Sequence, residues 1–335
     1  MNNKALGIII SNINEKQLGV LTSGRTLASV PFGGRYRLID FGLSNMSNSG
    51  IYNVVVIARN NYQSLLQHVG SGKSWDLSRK IGGLRILPPK IDKVYNSRWE
   101  ALLNAAHVIK NSDERYVVIA DGDCVCNFDF SKAIAYHADR MSDLTVIYRK
   151  KELVEGDLKD RLCLTLDDDG RVTEAAKRPA ASGAHCVGAQ MYIIGREFLL
   201  SLLTSSEDRN ITSLEKDVIC KSASELRIYG YELSGYFATM DSIPNYFAHS
   251  MELIDRNKCA TLFDSDGANI YTKVRDSVPT RFAATCEVKN SIIADGCDVK
   301  GRVENSILFR GVRVAEGAVI KNSILFQDTV VAPSC

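Results

Sequence analysis

The sequence predicts an α/β domain on a mixed, mostly parallel sheet, followed by a parallel β-helix. Two observations carry this. From residue 4 to about 254, short continuously apolar β-rich runs alternate with helix-patterned stretches, the arrangement of a sheet covered on both faces. After Pro279 the rhythm changes. NSII at Asn290, NSILF at Asn305 and NSILF at Asn322 recur at spacings of 15 and 17, and Val312, Ala318, Ile324 and Val330 fall six apart. An apolar residue every sixth position marks coils of three short strands, which gain a core only by stacking on their neighbours.

The elements follow in order. Ala5 to Ile10 and Asn53 to Ala58 read as strands. Leu65, Leu66 and Val69 give the stretch from Tyr62 helical spacing, which puts His68 on a polar helix face. A helix is expected over Trp99 to Ile109, a strand over Tyr116 to Ala120, a helix capped by Ser131 and running to Arg140, and a strand over Leu144 to Arg149. Asp167-Asp168-Asp169-Gly170 reads as a type I′ hairpin turn between short strands, not a calcium loop. The expected division is 1–254 for the α/β domain, 255–280 for a linker and 281–335 for the β-helix. The repeat stops at Pro333-Ser334-Cys335 with no capping element, so the β-helix is expected to be short and capped by a partner, or truncated.

Composition bounds the function. Lys plus Arg is 41 and Asp plus Glu is 39, so the net charge of +2 gives no pull toward nucleic acid or acidic membranes. The longest apolar runs are far below the roughly 20 residues that span a bilayer, and LGIII followed by SNINEKQ is not a secretory signal. Nine scattered cysteines without C-x-x-C spacing suit reduced thiols and a cytoplasmic location. In parallel sheets, ligands bind beyond the carboxyl ends of the strands, which directs attention to the segments after Ile10, Ala58 and Ala120.

Those segments carry a resemblance. Leu21 to Ile51, LTSGRTLASVPFGGRYRLIDFGLSNMSNSGI, is similar to the sugar-nucleotide pyrophosphorylase family, specifically glucose-1-phosphate adenylyltransferase. The resemblance implies a nucleotidyltransferase-like (Rossmann-like) domain and a left-handed β-helix. It also implies a reaction in which glucose 1-phosphate attacks the α-phosphorus of ATP and pyrophosphate leaves. Such chemistry rests on alignment and charge stabilisation, here from a Gly-rich phosphate loop and two carboxylates holding Mg²⁺.

Compared with that pattern, the sequence departs at each device. The loop resembling GGxGTRL falls on Asn12, Ile13, Asn14, Glu15, Lys16, Gln17 and Leu18. Its glycines are gone, Gln17 takes the arginine position, and Glu15 sets a negative charge where polyphosphate would lie. Asp123 matches the first metal aspartate, whereas Thr239 stands at the second, in YFATMDSIPNYF; Asp121 has no counterpart. Threonine is a poor Mg²⁺ ligand beside a carboxylate. The nucleotide-side segment reads Tyr95-Asn96-Ser97-Arg98-Trp99, with bulky Arg and Trp where the family has small residues. The sugar-side E-K-P reads Lys177-Arg178-Pro179. Lys216 and Asp217 match a K-D pair that follows D-F-G, here Ser213-Leu214-Glu215. Tyr95, Arg178 and Lys216 are therefore expected as remnants of substrate contacts, and Asp123 as a remnant of the metal site.

Within the family the chain most resembles the GlgD-type regulatory chains of bacteria. This implies a non-catalytic or weakly catalytic subunit that needs no cofactor and pairs with the catalytic subunit in a heterotetramer, with a homo-oligomer alone also open. The alternative is an active adenylyltransferase using Mg²⁺ on Asp123 and Asp241. An acyltransferase of the β-helix type is disfavoured because no histidine follows His249. The segment from Phe32 to Arg37 resembles the part of the family that meets allosteric sugar phosphates. Arg25, Arg35 and Arg37 could cluster around a phosphate or pair structurally with acids such as Asp40. The family's activator lysine and following proline are Leu27 and Ala28.

Overall fold

The computed structural model describes residues 4–11, 15–89, 95–153, 161–177, 182–264 and 268–335. In the α/β domain the strands are β1 (Ala5–Ile10), β2 (Pro31–Phe32), β3 (Tyr36–Arg37), β4 (Asn53–Ile57), β5 (Gly83–Leu87), β6 (Tyr116–Asp121) and β7 (Cys124–Cys126), then β8 (Leu144–Leu153), β9 (Cys163–Leu166), β10 (Val172–Ala176), β11 (Gly183–Gly195), β12 (Ile228–Glu232) and β13 (Phe237–Thr239). The helices are α1 (Leu38–Asn48), α2 (Gln63–Val69), α3 (Arg98–Lys110), α4 (Phe130–Asp139), α5 (Arg196–Thr204), the short turn α6 (Cys220–Ser222), α7 (Ile243–Glu252) and α8 (Arg256–Phe263). The main sheet runs β10-β9-β11-β6-β1-β4-β5, with β8 and β12 attached through β11. Pairing is parallel from β6 through β1 and β4 to β5 and antiparallel around β11.

Burial explains the placement of β1. All six of its residues are buried, and strand alternation sends them to two cores. Leu6, Ile8 and Ile10 pack with Trp99 and Leu102 on one face, Ala5 and Ile9 with Leu43 and Phe130 on the other. The strand's carboxyl end, where Ile10 pairs with Asp121, opens onto the site described below.

Several local expectations change. The cap of α4 is Asp129, whose carboxylate accepts from the Ser131 N–H at 2.9 Å. The β9–β10 hairpin takes a positive φ at Gly170 alone of its turn residues, so it is not type I′. Asp167 accepts from the backbone N–H groups of Asp169 and Arg171 there. The stretch expected as a linker begins with helix α8. His68 is buried rather than on a polar face, with Nε2 2.6 Å from Asp40 Oδ1.

From residue 281 three parallel sheets of two- and three-residue strands stack into the left-handed β-helix. Val299 and Val314 form one buried column, Val303 and Ile320 another. Val330, expected inside by its spacing, is 69 % exposed; Val331 is the residue that packs toward the core. The repeated Asn-Ser has a physical cause. Asn290, Asn305 and Asn322 each turn the corner at φ 46°, a conformation Asn tolerates better than most residues. Their amides form a ladder, with Asn290 donating to Asn305 at 3.2 Å and Asn305 to Asn322. Each following serine hydroxyl accepts the backbone N–H of the equivalent serine in the next coil, at 3.1 Å in both cases. Asn305→Val should lower the unfolding free energy by about 1–3 kcal/mol through backbone strain and the lost amide bonds. Asn305→Gly should cost less, and denaturant melts of the two variants check the order.

Aromatic contacts join the units. Phe326 of the β-helix lies 6.3 Å from Tyr246, which is 6.4 Å from Phe32; within the α/β domain Tyr36 stacks on Phe263 of α8 at 5.0 Å.

Candidate functional site

At the carboxyl end of β6 lies a cavity of about 430 Å³ bordered by α3, β11 and the turn at Leu214–Ile219. Its charged groups are already paired with one another. Ser97 caps α3 by accepting the Glu100 N–H at 3.2 Å, which sets Arg98 in the first turn, facing Asp121. The Arg98 Nε donates to both Asp121 oxygens, at 3.0 and 2.8 Å, and Nη2 adds a further bond. Nη1 is 3.7 Å from Glu215. Lys177 Nζ lies 2.8 Å from the other Glu215 oxygen, and the Tyr192 hydroxyl donates to Glu215 as well. With its amide oriented to satisfy both neighbours, Gln190 accepts from Arg98 at 2.9 Å and donates to Asp121 at 3.3 Å.

Two cations thus face two buried anions. Burial works against the Arg98 charge, but Asp121 and Glu215 outweigh it and raise its pKa well above the ordinary value. Burial likewise opposes the Glu215 charge, and Arg98 with Lys177 holds the carboxyl below its usual range. Arg98 stands where the resemblance has a small residue, Lys177 where it has the sugar-binding glutamate, and Glu215 where it has a glycine. These changes compensate one another in space, so the pocket is rebuilt as an internal ion network.

The two metal positions do come together. Thr239 lies opposite Cys124 in the β13–β7 pair, and the Met240 N–H donates to the Asp123 carbonyl at 3.3 Å. The donors do not make a two-carboxylate magnesium site, however. Thr239 offers a neutral hydroxyl, Asp121 is engaged by Arg98, and Asp241 is engaged by Asn245 and by Arg161 at 3.5 Å. Among the described residues no group of three or more His, Cys, Asp or Glu is placed to hold a metal.

The expected substrate remnants fare differently. Tyr95 is a buried residue of the hydrophobic core and does not border the cavity. Lys216 is exposed and also lies off the cavity; its neighbour Glu215 points inward from a π-helical turn. Arg178 and the loop residues Asn12, Ile13 and Asn14 lie outside the described residues, as do the side chains of Glu15 and Gln17. The backbone of Glu15–Thr22 forms 3-10 turns kinked at Gly19, where φ is 47°.

A second cavity, about 340 Å³, sits between the α/β domain and the β-helix. It brings together Arg25, Arg35 and Arg37 with Arg275 and Arg310. Asp40 offsets this group only in part. It accepts the Arg37 backbone N–H at 3.0 Å, while the Arg37 guanidinium donates to Ser64 at 2.8 Å. Arg310 pairs with Asp295 at 2.9 Å. Among the described residues, Arg25, Arg35 and Arg275 have no carboxylate within ion-pair distance. Burial and the nearby Arg25 lower the Arg37 pKa to about 10, with Asp40 opposing and Arg275 adding to the effect. The first cavity is internally neutralised; the second, with five arginines against Asp328 on its wall, keeps an excess of positive charge.

A Rossmann-like domain with its site at the strand ends, joined to a hexapeptide β-helix, defines a sugar-nucleotide transferase class. Residues 7–227 match the nucleotidyl transferase family and residues 276–335 the GlmU-like C-terminal hexapeptide family. The chain belongs to the family that contains glycogen biosynthesis protein GlgD and glucose-1-phosphate adenylyltransferase. It is 34 % identical to GlgD of Bacillus subtilis over 96 % of this chain and 83 % of that protein. The identity to GlgD of Geobacillus stearothermophilus is 38 %, over 96 % and 84 %. Against glucose-1-phosphate adenylyltransferase of Pseudothermotoga lettingae it is 32 %, over 95 % and 76 %.

Proposed function

We propose that the chain is a non-catalytic or weakly catalytic regulatory subunit of ADP-glucose pyrophosphorylase, acting in glycogen biosynthesis in the cytoplasm. The observation that carries this is the Arg98–Asp121–Glu215–Lys177 network, which pairs the charges on the wall of the substrate pocket with one another beside a single-carboxylate metal position. Among the described residues no helix is long and apolar enough to cross a membrane. The partner is a catalytic adenylyltransferase subunit, and the mechanism is differential contact: the interface favours the partner's active conformation, since equal binding to both states shifts nothing. Co-expression with a catalytic subunit should yield a mixed oligomer by mass, with higher turnover than the catalytic subunit alone. Separate elution of the two chains, with unaltered kinetics, would reject the pairing. Robust ADP-glucose synthesis by this chain alone would favour the alternative, an active enzyme using Asp123 and Asp241.

The unneutralised arginines support a sugar-phosphate effector site between the domains. Titration calorimetry with fructose 1,6-bisphosphate should show saturable heat that an Arg35→Ala/Arg37→Ala protein loses, by on the order of tenfold or more in affinity. Absence of heat from the unaltered protein rejects the site.

A further inference from the structure

Resting on that anion-site reading, we infer that the arginine cavity and an adjoining groove are two lobes of one site, and that its ligand is a phosphate ester with an apolar body. The groove, about 920 Å³, lies between α8 and the first coil of the β-helix, in the size range of small-molecule sites and at a domain boundary where such sites concentrate. Its walls are largely apolar, with Leu253, Phe263, Val288, Ile292 and Ile293 among them. Two features join it to the arginine cavity. Gly34, Arg35 and Tyr36 border both spaces, and the Arg310–Asp295 pair runs from one to the other.

Arg35 is the pivot. It is exposed, its Nη2 donates to the Tyr36 hydroxyl at 3.0 Å, and its guanidinium carbon is 5.0 Å from the Tyr36 ring. With no carboxylate partner among the described residues, its charge is available to a ligand at the junction. Gly34, beside Ile292 of the first coil, turns the hairpin at φ 84°, a conformation that favours glycine. The groove's own charges balance, Arg35 and Arg256 against Asp264 and Asp295. Phosphate therefore belongs in the arginine lobe and an uncharged body in the groove. A fully hydrophilic sugar phosphate would occupy the arginine lobe alone and leave the apolar wall in water.

Calorimetric titration with 1-naphthyl phosphate and with inorganic phosphate tests this. The naphthyl ester should bind about tenfold or more tightly than phosphate, as burial of its rings predicts. Ala260→Trp, which fills the groove from α8, should abolish that preference and leave phosphate affinity intact; Ile293→Ser is the second variant should the first misfold, and should shrink the preference. Arg35→Ala should weaken both ligands. Equal affinities in the unaltered protein, or a preference that folded groove variants leave unchanged, overturns the two-lobed site while the anion site stands. No binding of either ligand overturns both readings. If a second copy of the chain occupies the groove instead, Ala260→Trp lowers the mass by light scattering with the naphthyl preference unchanged, which also overturns the proposal.

Discussion

Arg98→Ala should lower the unfolding free energy by about 3–5 kcal/mol, the usual cost of removing one member of a buried ion pair. The Asp121 side chain is 4 % exposed and loses its ion-pair partner with the guanidinium, whereas Glu215 keeps Lys177 at 2.8 Å. The loss arises from the stranded Asp121 charge more than from the bond itself. Arg98→Ala combined with Asp121→Asn should therefore recover much of the stability, giving a non-additive double-mutant cycle. Arg98→Lys should fall between, since it keeps the charge but cannot reproduce the forked contact. Denaturant unfolding of the unaltered protein, Arg98→Ala, Asp121→Asn and the double variant measures the cycle. Additive losses would mean that the network does not hold the pocket together.

The second large effect is on acid stability. His137 is buried on α4, with Nδ1 2.8 Å from the Thr145 hydroxyl, the Tyr116 ring in a T-shaped contact at 5.0 Å, and Nε2 without a hydrogen-bond partner among the described residues. Burial lowers its pKa from 6.5 to about 4. Between these values the unfolded chain binds a proton that the native chain refuses. Stability therefore rises with pH across this window and falls as the solution is acidified from above pH 6.5 to below pH 4. The full effect is about 3 kcal/mol. His137→Gln should flatten the pH dependence over that range, whatever it does to absolute stability. The neighbouring Asp143, held below its ordinary value by its bonds to Arg227, contributes at lower pH and keeps its own slope. Unfolding free energies from pH 7 to pH 4 would reveal the difference, and parallel profiles for the two proteins would contradict it.

The framework was legible where local physics decides. Continuous apolar runs marked β1 and β6 because both strands are buried on two faces, and the repeated NSIL announced the β-helix because every coil must turn the same corner. The site was legible only as a set of losses. Arg98 and Asp121 are 23 residues apart and Arg98 and Glu215 are 117 apart, so no local pattern shows that one change answers another. A signal was present: cations at Arg98 and Lys177 and an anion at Glu215 all depart from the family's residue types in segments that converge on one pocket. Lys216 was misplaced for a related reason. The π-helical turn at Leu214–Ile219 breaks ordinary helical spacing and directs Glu215 inward. His68 was misread because its partner Asp40 comes from a different helix, 28 residues earlier.

Titration of the isolated chain with ATP and magnesium, in the presence of glucose 1-phosphate, is the most direct measurement. A pocket whose wall charges are paired with one another, beside a metal position with a single carboxylate, should give no saturable heat and form no ADP-glucose. Stoichiometric, magnesium-dependent binding of ATP accompanied by turnover would contradict the account.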